Sequence, residues 1–172
     1  IVAGLAEAIA PEDPETSKPF VIQMGFQWDV RNPSRKLSTC YTCFPHLSAD
    51  EITRRLADGF YTASMRSPGQ IVKGLLTTAD ARTAPGGLLY SESKGDNSRA
   101  CFDVNAYRAN LKMVDIYPSL AAIARHYSVP LETFQSLYQN IEGLVFGHIA
   151  GGTDMDGRDF LAYYFSEKGS PG

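Results

Sequence analysis

Cysteine is scarce in this chain, with three thiols in 172 residues. A sparse, odd set does not build a disulfide-stapled secreted domain. No Asn-x-Ser/Thr glycosylation acceptor occurs either, because Asn32 is followed by Pro33. An intracellular or organellar interior is the expected compartment. Long apolar runs are also missing: 144–150 (LVFGHIA) falls far short of a membrane span. No charged-plus-apolar leader stands at the start, and a chain opening on Ile1 rather than Met is compatible with a removed one. Excess positive charge is lacking too. The net charge is −3 and the pI about 5.6, which disfavours nucleic acid and anionic membranes as partners.

The usual catalytic signatures are absent. There is no G-x-S-x-G, no phosphate-cradling loop and no dinucleotide fingerprint. The three histidines, His46, His126 and His148, lie far apart. His148 sits in an apolar run between Phe146 and Ile149, the setting of a core or boundary histidine rather than a catalytic one. No local catalytic set emerges, so the expectation leans away from an enzyme.

What is present is an ordinary globular balance, 44% hydrophobic and 20% charged. Residues 1–19 read as an N-terminal arm, a short apolar helix over 2–10 followed by an acidic, proline-rich linker. Residues 20–165 read as a single globular domain, and 166–172 as a loose tail. Ile22, Met24, Phe26 and Trp28 alternate, so 20–30 predicts a strand that pairs with a second over 37–44. The basic loop between them, with Arg31, Arg35 and Lys36, reads as a solvated tip.

Helix signals follow. Ser48 and Glu51 form a capping box ahead of Ile52, Leu56 and Phe60, with Arg54 and Arg55 facing outward. A second box, Ser67 with Gln70, precedes the seam of Ile71, Val72, Leu75, Leu76 and Ala79. Asp103 is a candidate cap for a helix carrying Val104, Tyr107, Leu111 and Val114, a segment whose start, 101–104, also accepts a strand reading, and the aromatic 159–165 (DFLAYYF) reads as a last helix.

The most organised stretch is 118–141 (PSLAAIARHYSVPLETFQSLYQNI), two short helices about a tight turn. Leu120, Ile123 and Tyr127 stripe the first; Leu131, Phe134, Tyr138 and Ile141 stripe the second. Pro118 and Pro130 open them and Gly143 offers a stop. With Ala124, Val129, Thr133 and Phe134 at the matching positions, the stretch resembles the helix-turn-helix motif of DNA-binding regulators. It departs at Ser128, where regulators carry a glycine in the left-handed turn. Over 131–142 there is no Lys or Arg, while Glu132 and Glu142 are present. A recognition helix needs phosphate attraction, so a packed helical hairpin is the preferred reading.

Two chemical candidates remain. Cys40 and Cys43, with His46 beyond, have the spacing of a partial zinc site, which would need further ligands. Buried inert cysteines are the alternative. The run 154–159 (DMDGRD) has alternating carboxylates, but a calcium loop counted from Asp154 would need an acidic twelfth residue, and Phe165 stands there. The resulting expectation is a helix-dominated α+β domain with about six helices and a small antiparallel β-hairpin near the N-terminus. Its function is expected to be a non-catalytic protein–protein interaction module, or an accessory subunit of a larger complex. No cofactor is required, and Tyr163, Tyr164 and Phe165 are the interaction candidates. The alternatives are a helix-turn-helix nucleic-acid binder and a thiol- or zinc-dependent enzyme on Cys40 and Cys43.

Overall fold

Strand alternation organises the molecule. In the computed structural model, which describes residues 2–8, 18–29, 32–61, 66–95, 100–153 and 157–166, seven strands form one antiparallel sheet in sequential order. They are β1 (Val2–Ala8), β2 (Phe20–Asp29), β3 (Asn32–Phe44), β4 (Leu89–Gly95), β5 (Ala100–Asn105), β6 (Val145–Thr153) and β7 (Asp159–Ser166). Helices α1 (Ala49–Gly59) and α2 (Arg66–Asp80) join β3 to β4. Two short 3-10 turns, then α3 (Tyr117–His126) and α4 (Leu131–Ile141), join β5 to β6. No helix among the described residues is long and apolar enough to cross a membrane.

The helices cover one face of the sheet. Along β4 and β5, Tyr90, Phe102 and Val104 point to that face and are fully buried. Phe146 and Ile149 of β6 join them, against Ile52 and Leu56 of α1 and Val72, Leu75 and Leu76 of α2. Burying each of these aliphatic side chains contributes about 1.5–3 kcal/mol. Phe102 lies edge-on to Phe60 and Tyr61, at 5.3 and 5.8 Å between centroids.

The local signals for α1 hold. Ser48 Oγ accepts from the Glu51 N–H at 3.3 Å, and the Glu51 carboxylate accepts from the Ser48 N–H at 2.8 Å. Ser67 and Pro68 fall inside the first turn of α2 rather than ahead of it.

The helix-dominated expectation is overturned. Four α-helices accompany seven strands among the described residues, and the β2–β3 hairpin is only part of the large sheet. An α-helical protein built on a helical hairpin is likewise not what forms: α3 packs mainly on α2, and α4 touches α3 only lightly. Residues 2–8 form a strand paired with β2 rather than a helical arm. Most of the predicted linker lies outside the described residues. Asp103 sits inside β5, so of the two readings of 101–104 the strand is the one that forms and the helix cap is not, and 159–165 is strand β7.

The helical reading of 159–165 has a physical cause. Both faces of β7 carry large side chains, Phe160 and Tyr164 on one and Leu161 and Tyr163 on the other. Period-two contrast vanishes in such a strand, and an apolar run then fits either element.

The turn between α3 and α4 holds a residue in a costly conformation. Ser128 has φ 54°, the left-handed region. For a residue with a Cβ this costs about 1–2 kcal/mol, part of which glycine recovers. Ser128→Gly is expected to raise the unfolding free energy by about 0.5–1 kcal/mol after its looser unfolded chain is allowed for. Urea denaturation checks this, and an unchanged or lower midpoint would contradict it.

Candidate functional site

The face of the sheet away from the helices carries a different residue set. Tyr41 and Cys43 of β3, Ser91 and Ser93 of β4, Asp103 and Asn105 of β5, His148 of β6 and Tyr164 of β7 alternate with the core residues. The register places them on neighbouring strands: Cys43 opposes Ser91, Ser91 opposes Asp103, Asn105 opposes His148, and His148 opposes Tyr164. Small and polar side chains leave this face hollow.

Two adjoining cavities open on it. One, of about 300 Å³, is lined by Tyr41, Ser91, Ser93, Asp103, Phe160 and Tyr164 among others. The second, of about 510 Å³, is lined in part by Phe20, Cys43, His46, Leu89, Asn105 and Arg108. Ser91 and Asp103 belong to both walls.

At the junction Asp103 Oδ2 lies 2.9 Å from His148 Nδ1. With Nδ1–H donated to the carboxylate, Nε2 is the remaining acceptor of the ring. The imidazole stacks on Tyr164, 4.7 Å between centroids at 26°, and Tyr107 approaches at 5.6 Å. Gly147 makes room for that tyrosine: a Cβ there would stand 2.5 Å from the Tyr107 ring. Burial raises the Asp103 carboxyl above its ordinary value, and the bond to His148 only partly opposes this. The pair therefore joins an imidazole to a carboxyl whose hold on its proton burial strengthens, the composition of a proton-transfer site.

No family model, curated protein or solved structure matches this chain. The site must therefore be read from its own residues.

The sequence candidates are distributed as follows. Cys40 and Cys43 sit three apart on a strand, hence on opposite faces, and do not grip one ion together. Cys40 lies 3.9 Å from Thr42 Oγ1 on the helix side, whereas Cys43 and His46 line the second cavity. Burial pushes the Cys43 thiol up, away from the reactive thiolate. Among the described residues no group of three or more His, Cys, Asp or Glu is arranged to hold a metal.

Tyr163, Tyr164 and Phe165 do not form one patch. Tyr163 packs against the core, Tyr164 stacks on His148, and Phe165 is exposed. Asp154 to Asp156 of the acidic run lie outside the described residues. Asp159 instead ties β7 to the end of α3. Its Oδ2 accepts from Tyr127 Oη at 2.7 Å and lies 2.9 Å from His126 Nε2. Burial pulls the Asp159 carboxyl up, but those two partners outweigh it and hold it below its ordinary value.

Sequence reasoning misses Asp103 as a site residue because its partner lies 45 positions away. A local signal exists nonetheless. Cys101, Asp103 and Asn105 alternate strictly with Phe102, Val104 and Ala106, the mark of a half-buried strand with a polar face.

Proposed function

We propose that this chain is an enzyme, or the substrate-holding part of one, that binds a small organic ligand across the open sheet face and moves a proton there. The observation that carries the reading is Asp103, held by His148 and standing in the wall of both cavities. Because the cavities share Ser91 as well, one elongated ligand fits both. Its ring-like or apolar part packs on Phe160 and Tyr164, and a hydrogen-bonding group reaches Ser91 or Ser93. In this reading the Asp103 carboxyl, which lines both cavities, takes or gives the proton, and His148 Nδ1 holds that carboxyl in place. Tyr164 limits the ring's rotation by stacking.

Ligand-observed NMR with a library of small amphiphilic fragments tests this. Hits are expected whose binding is at least about tenfold weaker in Ser91→Phe, which fills the junction, since about 1.4 kcal/mol of lost contact corresponds to tenfold. Asp103→Asn should flatten the acid limb of the binding pH profile without unfolding the protein. Absence of hits, or hits indifferent to Ser91→Phe, would sink the reading.

A second reading, an interaction module or accessory subunit, is favoured by one observation on the opposite side. Val114, Tyr117, Leu131 and Leu137 are exposed around α3 and α4.

A further inference from the structure

The outer surface of the α3–α4 region carries a groove of about 810 Å³, away from the open sheet face. Its floor is aromatic. Tyr117 and Tyr138 meet edge-to-face at 4.8 Å, and Phe134 lies 6.0 Å from each ring. Tyr117 is 42% exposed, so its ring is offered to solvent rather than consumed by the core. Leu131, 66% exposed, continues the same stripe of α4 as Gln135, Tyr138 and Glu142.

The charge of the lining is of one sign. Asp115 and Glu142 are the charged residues along it, and Gln135 and Gln139 supply neutral amides. Asp115 is partly engaged, accepting from the Lys112 N–H at 2.8 Å and lying 4.0 Å from Arg82. Burial first, and Glu142 second, raise the Tyr138 phenol above its ordinary value, so the Glu142 carboxylate acts on that ring. Aromatic faces beside the Glu142 carboxylate attract cations, through the ring quadrupole and by simple charge. A polyanion meets repulsion here, and so does a second copy presenting this same acidic face.

We propose that the groove is a docking site for a cationic, amphipathic peptide segment of a partner protein, with its apolar side chains on Tyr117, Phe134 and Tyr138 and its Lys or Arg heads at Glu142. This deepens the interaction reading and is independent of the Asp103–His148 site. The Gln135 and Gln139 amides suit the peptide's main chain, since they donate and accept.

Isothermal titration of the full chain with a short synthetic peptide of Leu, Phe and Lys tests it, beside the same peptide with Glu in place of Lys. The expected result is saturable binding of the cationic peptide alone. Tyr138→Ala and, separately, Glu142→Lys should each weaken it about tenfold. Glu142 is exposed, so Glu142→Lys tests the site even if Tyr138→Ala perturbs the fold. Equal binding of the acidic peptide would overturn the cationic occupant while leaving an interaction surface in place. Binding of neither peptide, or no loss in either variant, would overturn the groove as an interaction surface. Sedimentation showing a dimer broken by Glu142→Lys would assign the groove to a second copy and overturn the proposal.

Discussion

Arg55→Met should lower the unfolding free energy by about 2–3 kcal/mol, and adding Glu92→Gln should restore at least about 1 kcal/mol of it. Both the Nε and Nη2 groups of Arg55 donate to Glu92 Oε1, at 3.0 and 2.8 Å. The Tyr90 hydroxyl donates to the same oxygen at 3.0 Å. The Glu92 side chain is only 10% exposed, and the Arg55 guanidinium caps it from α1 while lying 3.8 Å over the Phe44 ring. Removing the cation leaves a carboxylate facing the core without its counter-charge. Water reaches the vacated side, because Arg55 itself is 39% exposed, so the loss stays below that of a fully buried pair. The amide introduced by Glu92→Gln keeps an acceptor for the Tyr90 hydroxyl and carries no charge, which is why the double variant recovers. Chemical denaturation of the four proteins closes the cycle. A cost for Arg55→Met under about 0.5 kcal/mol would show the pair to be an ordinary surface contact.

Gly152→Ala is expected to be at least as damaging, about 3–5 kcal/mol. Gly152 has φ +146°, a conformation L side chains rarely adopt. It pairs with Cys101 across the β5–β6 ladder. A Cβ at this position would overlap the Ala100 carbonyl oxygen and stand 2.9 Å from the Cys101 Cα. Both obstacles are main chain, so relief requires β5 and β6 to separate. These strands carry Asp103 and His148, so the same change should also abolish ligand binding on the open face. Gly143→Ala is the matching control. Nothing lies within 4 Å of a Cβ there, and its effect should stay within about 0.5 kcal/mol. Similar losses in thermal unfolding for both glycines would refute the account.

Arg55 also illustrates what a single sequence conceals. Its place on α1, beside Arg54, reads as an outward helix face. Only the sheet brings Glu92, 37 positions away, beneath it. The same holds for the candidate site. Ser91, Asp103, His148 and Tyr164 come from four strands, and each alone has an ordinary local explanation.

Short-range physics could be read directly from the residues. Ser48 and Glu51 satisfy helix-end groups within one turn. Leu75 and Leu76 repeat on the stripe that α2 buries, and Pro118 and Pro130 open α3 and α4. These signals involve neighbours a few residues apart, so their energetics are written in the order of the chain. Strand pairing beyond the β2–β3 hairpin is not. Which face of β5 meets solvent, and that His148 lands beside Asp103, depends on a register set by many distant contacts together. The four helices that form and the β2–β3 pairing were therefore legible in the sequence, while the rest of the sheet, its open polar face and the meeting of Asp103 with His148 were decided by tertiary assembly.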